Sequence, residues 1–180
     1  MSEQPEETST APGSRAANGE HTVNGMPRGS TSLTPFVVVD GAEAAIGFYE
    51  AVFGARLLSR TDMPGPDGRP LVAHAVLDFP SGRLELGDAN PQYHLVLPPA
   101  GDDDCYSLAV YVPDVDAAVD RAVAGGATVR EPATDFVSGD RFASIRDPFG
   151  IRWSIMTRVE DLSDDEVKAR IEAWAASLGA

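Results

Sequence analysis

The order strand, helix, strand, strand, strand is written twice in this chain, and no other feature restricts the fold as tightly. Phe36-Val-Val-Val39 aligns with Ala109-Val-Tyr-Val112, and Glu43-Ala-Ala-Ile46 with Asp116-Ala-Ala-Val119. Gly54-Ala55 aligns with Gly126-Ala127, and Asp78 to Leu86 with Asp147 to Ile155, hairpin for hairpin. The offset drifts little across the whole half. Self-similarity kept in order over such a stretch marks a duplicated module. Two copies can pair their sheets around a shared cleft, and pockets favour such interfaces.

The hairpin that closes the second copy, Gly139 to Ile155, is the most sharply written element. Asp147-Pro148-Phe149-Gly150 is a turn with a mechanism. The Asp side chain can accept from backbone amides, Pro148 presets φ, and Gly150 permits positive φ. Beyond the turn, Ile151, Trp153 and Ile155 share one face, while Arg152, Ser154 and Met156 share the other. The greasy face is expected to cover helices, with Trp153 packed against them, and the mixed face to line a cavity. A one-residue slip would instead bring Trp153 into the pocket.

Residues 1–30 are Ser, Thr, Glu, Pro, Gly and Asn with few large apolar side chains. Such a segment cannot offset its ordering entropy by burial, so a disordered tail is expected, with His21 solvated in it. Then come a strand over Leu33–Val39 and a helix over Ala42–Phe53, its apolar face formed by Ala42, Ala45, Ile46, Tyr49 and Phe53. Gly54 ends that helix. Strands follow at Ala55–Arg60, Leu71–Phe79 and Arg83–Leu86, with a loop over Met63–Pro70. After a connector over Asp88–Asp104, a strand is expected at Tyr106–Val112. Next is a helix over Val115–Ala124, capped by Asp114 and ended by Gly125-Gly126. A strand at Ala127–Glu131 and the hairpin complete the copy. Ser163-Asp-Asp-Glu166 is a capping box. It opens a helix whose Val167, Ile171, Trp174 and Leu178 form a stripe, for packing on its own chain or for a dimer contact. The fold class is α+β. A tail over 1–30 precedes a single domain over 31–180, built of modules 31–97 and 105–158 and a C-terminal helix 163–178.

The formal charge is -14, from 28 acidic and 14 basic residues. Nucleic acid and anionic membrane both need basic surface, so neither is expected as a partner. No apolar run approaches the roughly 20 residues of a membrane span. With one cysteine, Cys105, no internal disulfide can form. The N-terminus lacks a basic start followed by an apolar core, so a cytoplasmic protein is expected.

Several stretches carry a family resemblance: Thr34-Pro-Phe-Val-Val-Val-Asp40, Ala45-Ile-Gly-Phe-Tyr-Glu-Ala-Val-Phe-Gly-Ala55, Met63-Pro-Gly-Pro-Asp-Gly-Arg69 and Val112-Pro-Asp-Val-Asp-Ala117. Gly139-Asp-Arg141 before Asp147-Pro-Phe-Gly150 and the exit Val159-Glu-Asp-Leu-Ser163 complete the set. Together, over about Leu33 to Leu178, the chain resembles the vicinal oxygen chelate superfamily, and within it the PhnB-like branch. That superfamily includes glyoxalase I, extradiol dioxygenases, methylmalonyl-CoA epimerase, and the fosfomycin and bleomycin resistance proteins. The resemblance implies tandem βαβββ modules forming an open, barrel-like mixed sheet, and a homodimer as in many relatives.

In metal-dependent members four strand positions supply His or Glu ligands to a divalent ion that stabilises substrate oxygens. Carried over, those positions are Thr34, Glu85, Ser107 and Ser154. Only Glu85 is a suitable ligand, and slipping the fifth strand gives only Leu108 or Ala109. Ile151 stands where PhnB-like relatives often carry His. No cofactor and no metal site are therefore expected. His74 matches a His of the PhnB-like pattern. It is expected either to pair with Glu85, as metal ligands, as an acid-base couple or as a polar handle, or to be a hydrogen-bonded strand histidine. His94 is expected at the surface, and Asp102-Asp103-Asp104 as a solvated turn. The expected cavity lining is Thr34, Phe36, Val38, Glu85, Ser107, Ala109, Tyr111, Arg152, Ser154 and Met156, with Glu85 and Arg152 as an acid-base pair. Two functions follow. One is metal-independent binding of a small organic molecule, as in bleomycin-resistance-type sequestration of an antibiotic or metabolite. The other is a lyase, epimerase, dioxygenase or tailoring enzyme using His74 and Glu85, with or without a metal.

Overall fold

The computed structural model describes residues 16–65, 68–101 and 103–179. It divides into two units, one ending at Thr34 and one starting at Pro35. In the first, β1 (Thr22–Val23) and β2 (Met26–Pro27) pair antiparallel, Val23 opposite Met26. The two-residue turn between them is Asn24-Gly25, with φ of 48° and 79°. Positive φ at both central positions matches the right-handed strand twist, and Asn-Gly is the pair that adopts it most readily. The expected structureless tail is thus corrected over residues 22–27; residues 1–15 lie outside the described residues.

The second unit holds both modules. The first runs β3 (Phe36–Val39), α1 (Ala42–Phe53), β4 (Arg56–Pro64), β5 (Pro70–Phe79) and β6 (Gly82–Asp88). The second runs β7 (Leu108–Tyr111), α2 (Val115–Ala124), β8 (Thr128–Asp135), β9 (Asp140–Arg146) and β10 (Arg152–Arg158). The sheet orders are β3-β6-β5-β4 and β7-β10-β9-β8. In each sheet the last strand lies parallel to the first and antiparallel to the third. The duplication read from sequence is therefore a duplication of topology. Each sheet is mixed, and neither closes into a barrel. Helix α3 (Asp164–Leu178) follows.

Local chemistry sets the helix ends. Asp114 accepts from the Ala117 amide at 3.0 Å to open α2. The capping box forms at α3, with the Ser163 amide donating to Glu166 at 2.8 Å. Gly54 closes α1 with φ 68°. Gly41, which precedes α1, offers no side-chain cap, so Asp88 at the end of β6 takes over. Its Oδ1 accepts from the Gly41 and Ala42 amides at 3.1 and 2.8 Å, and its Oδ2 from the Val72 amide at 2.8 Å. A carboxylate at a helix N-terminus satisfies orphan donors and opposes the dipole.

One core serves both modules. Val37, Val39, Leu84, Leu86, Ala75 and Leu77 turn inward from the first sheet, and Ala143, Ile145, Trp153 and Ile155 from the second. The ladder pairs Trp153 with Ile145 and Leu108, so the register is unslipped and Trp153 faces the helices. It is 2% exposed. Its ring lies 4.6 Å from Phe53 and 5.3 Å from Tyr49, joining α1 of one module to β10 of the other. Asp147 fastens the same junction. Its Oδ2 accepts from the Tyr49 hydroxyl at 2.7 Å and from Trp153 Nε1 at 2.9 Å, while its Oδ1 accepts from the Phe149 and Ile151 amides, both at 2.9 Å. The turn thus works as its sequence indicates, and the carboxylate also reaches the other module. Burial raises the Tyr49 phenol well above its usual range, and the Asp147 carboxylate adds to the effect.

Some expected boundaries move. The first strand begins at Phe36, leaving Leu33 83% exposed and Thr34 outside it. β4 extends into the expected loop as far as Pro64, and β8 runs on to Asp135. On α3, Trp174 meets Phe136 edge-on at 5.1 Å, while Leu178 stays 69% exposed. The stripe is therefore only partly covered by its own chain.

Candidate functional site

Strand alternation places the candidate side chains. In the first sheet Phe36, Glu85 and Val76 share one level, and Val38 sits opposite Gly87. All lie on the face away from the buried Val37, Val39, Leu84 and Leu86. His74 lies two residues along β5 from Val76, on the same face. His74 Nε2 is 3.1 Å from Glu85 Oε2, and the His74 ring lies over Phe36 with centroids 5.9 Å apart. The pair remains partly exposed. The sequence-level pairing of His74 with Glu85 is therefore present in the fold. Beside it a cavity of about 410 Å³ opens between Phe36, Leu71 and Ala73 on the sheet and Asn90, Tyr93 and Leu95 of the connector.

In the second sheet Ser154 sits between Ala109 and Ser144, and Met156 between Tyr111 and Phe142. The Ser107 and Ser154 hydroxyl oxygens are 2.9 Å apart. Arg152 donates from Nε to Ser144 Oγ at 3.0 Å and from Nη2 to Glu131 at 2.7 Å. The expected Glu85–Arg152 pair is thus corrected: each has a nearer partner on its own sheet. Ser144, absent from the expected lining, is 0% exposed beneath this pair. Tyr111 is 55% exposed, its hydroxyl 3.4 Å from Asp140. Burial pushes Asp140 up, but the Ser138 hydroxyl, the Arg158 guanidinium and Tyr111 outweigh it and hold the carboxyl below its usual range.

The expected solvated turn at Asp102-Asp103-Asp104 is also corrected, since the Asp104 side chain is 7% exposed. Asp102 lies outside the described residues. Arg146 and Arg152 sit opposite each other at the mouth of the β9–β10 hairpin, and Asp104 folds between them. Two arginines flanking one turn were the available sequence signal, because paired cations on one face call for a counter-charge. Thr34 belongs to the N-terminal unit, where its hydroxyl is 2.7 Å from that of Thr31. His94 ends a short turn at φ 58° and is exposed, as is His21. Trp153 reaches only the floor of a separate groove of about 520 Å³, between the Phe79–Leu84 turn and the edge of β7.

These residues do not fit the metal implied by the resemblance. Ser107 and Ser154 offer only neutral hydroxyls, which share one hydrogen bond, and Glu85 alone is a carboxylate among the four positions. Among the described residues no three His, Cys, Asp or Glu side chains are grouped to hold an ion. Phe36, Val38, Ala109, Tyr111 and Met156 add apolar and aromatic surface. A mixed lining of this kind suits an organic ligand with a few polar groups.

Comparison with known proteins places this geometry. Residues 30–155 match the family model described as Glyoxalase/Bleomycin resistance protein/Dioxygenase superfamily. An uncharacterized protein of Mycobacterium bovis is 36% identical over 145 residues, covering 79% of this chain and 93% of the relative. Among solved structures, TioX from Micromonospora sp. ML1 aligns with a TM-score of 0.54 at 27% identity, covering 72% of this chain and 99% of that one. A PhnB protein from Bacillus cereus aligns at 0.56 and 20% identity, covering 71% and 99%.

Proposed function

The chain belongs to the Glyoxalase/Bleomycin resistance protein/Dioxygenase superfamily, and from that premise we propose that it binds a small organic molecule on the mixed faces of its sheets without using a metal. The observation that carries this reading is the 2.9 Å contact between Ser107 and Ser154 at two positions where metal-dependent relatives place ligands. Hydroxyls at those positions hold a ligand's polar atoms, Ala109, Tyr111 and Met156 on the same sheet take its apolar part, and Phe36 and Tyr93 line a second cavity on the first sheet. No helix of the described residues is long and apolar enough to cross a membrane. Phe36 at 37% and Tyr111 at 55% exposure leave both faces open, so a second copy closing over them is part of the proposal. The test is titration of tryptophan fluorescence and native mass spectrometry against a panel of natural products, with metal analysis of the purified protein. Dissociation constants below ~100 µM, unchanged by a chelator, are expected. Absence of any binder in that range, or a stoichiometric divalent ion required for binding, overturns the reading.

His74 at 3.1 Å from Glu85 favours one second reading, an enzyme that uses them as an acid-base couple. The carboxylate would hold the imidazole in one tautomer and leave its other nitrogen to move a proton. Turnover of a bound compound, lost in His74→Ala and Glu85→Ala while binding is kept, would establish it.

A further inference from the structure

The connector ends in an unsolved electrostatic problem. The Asp104 side chain is only 7% exposed, yet its Oδ2 has no hydrogen-bond partner among the described residues. A buried carboxylate oxygen left unpaired costs the full desolvation of that group, so its persistence calls for an explanation. Its two arginine neighbours offset its charge but leave Oδ2 without a hydrogen bond. Arg146 Nε stops 3.8 Å from Oδ1, and Arg152 Nη1 stops 3.9 Å from Oδ2. Arg146 spends its terminal nitrogens on the Gly101 and Pro99 carbonyls, which pins the connector in place above the hairpin. Arg152 spends its other two on Ser144 and Glu131. Oδ2 itself is closed to solvent, but Asp104 lines a pocket of about 260 Å³ together with Cys105, Tyr106, Ser107, Arg152 and Ser154.

We propose that this pocket is the polar subsite of the ligand cleft and takes a neutral group that both donates and accepts hydrogen bonds, a primary carboxamide being the type. The inference rests on the small-molecule reading above. The donor half of the ligand group meets the Asp104 carboxylate, which turns its unpaired oxygen toward the pocket to accept. The acceptor half faces Arg152 Nη1 and the hydroxyl pair. Two hydroxyls sharing one hydrogen bond retain one further proton to give. Charge excludes the alternatives. Arg146, Arg152, Asp104 and Glu131 sum to zero, with both guanidinium groups within 4 Å of the Asp104 carboxylate. A ligand cation would add a third positive charge beside them, and a ligand anion would face a buried carboxylate. The charged groups in ion-pair contact at the pocket balance one another although the chain as a whole is acidic.

Three probes of one shape separate these cases: benzamide, benzamidinium and benzoate, added to isotopically labelled protein and followed by amide chemical shifts. Benzamide is expected to shift the amides of Cys105 to Ser107 and of Ser154, and to bind about tenfold more tightly than either ion, the value of one hydrogen bond to a charged group, Asp104 against benzoate and Arg152 against benzamidinium. In Asp104→Asn the negative charge is gone while the arginines remain. The order then inverts, benzoate gaining about tenfold and benzamide losing, which mere loosening of the connector would not produce. Ser154→Ala weakens benzamide without inverting the order. Tighter binding of benzamidinium than of benzamide, or an unchanged order in Asp104→Asn, overturns the proposal. Shifts confined to the amides around Tyr93 overturn the polar subsite and leave cleft binding standing, and no shifts anywhere count against both.

Discussion

Replacing Asp147 by Ala removes a carboxylate that accepts four hydrogen bonds, two from side chains of different modules. Bonds to a charged acceptor contribute about 1.5–3 kcal/mol each, but neighbours in one network do not add. A sounder route counts what is left behind. Tyr49 is 0% and Trp153 2% exposed, so two buried donors lose their partner at about 1–3 kcal/mol apiece. The turn amides of Phe149 and Ile151 lose theirs as well. The expected cost is about 4 kcal/mol, a large share of the roughly 5–15 kcal/mol typical of a domain. Asp147→Asn is the control. Its carbonyl can keep the two amides that now reach Oδ1. Its NH2 then stands where Oδ2 was, and the Tyr49 hydroxyl can turn to accept from it, but Trp153 Nε1 can only donate. The cost should fall to about 2 kcal/mol, one orphaned indole. Urea unfolding followed by tryptophan fluorescence measures both. The pH profile adds a sign. Burial raises the Asp147 carboxyl, and the donors from Trp153, Ile151, Tyr49 and Phe149 only partly offset it. With the folded value above the unfolded one, wild-type stability falls as pH rises through the folded value, and this limb vanishes in Asp147→Asn. A loss below about 1 kcal/mol for Asp147→Ala, or equal costs for the two variants, refutes the reasoning.

Other outcomes follow from single contacts. A Cβ at Gly87 would lie 2.7 Å from the Ala73 carbonyl oxygen and 3.2 Å from the Phe36 ring, so Gly87→Ala should cost about 1–3 kcal/mol in thermal unfolding and displace Phe36 from His74. Asp140 is held below its usual range, so its stabilisation is present above the unfolded value near 3.9 and lost as pH falls through the folded one. Asp140→Asn should flatten that acid limb in a pH series of denaturation curves. Ser163→Ala removes one half of the α3 capping box and should lower helicity by circular dichroism, at about 1 kcal/mol.

Much of the fold was legible because it was written locally and twice. The glycines, the Asp-Pro-Phe-Gly turn and the two alternating hairpins each carry a short-range mechanism, and they agree with one another. Strand ends were less legible. Phe36 begins its strand only because β6 is there to pair with it, and β4 reaches Pro64 only through its partner β5. On the candidate site, the face assignment of Arg152, Ser154 and Met156 follows from period alone. The nearest neighbours do not. Glu131 reaches Arg152 from a strand whose register shifts twice against β9. Adjacent acids such as those around Asp104 are usually solvated, and its burial depends on where Arg146 ties the connector. Tyr49 looked like one more apolar position on α1, and nothing local announces that its hydroxyl meets a residue 98 positions away.

The sheet order also governs when each module can exist. Among the described residues β7 has no ladder partner except β10, and β3 none except β6. The last strand made therefore slides between the first and the third, and until it arrives the first strand offers bare backbone and the apolar Leu108 and Val110 to its surroundings. A chain emerging from the ribosome stays vulnerable at β7 until residue 158 is free, and a fragment cut at the Asp147–Gly150 turn keeps the β8–β9 hairpin but strands β7 as an adhesive edge. The same constraint bears on descent. The smallest segment that can be copied without leaving such an edge is a whole βαβββ module, which is the segment this chain repeats.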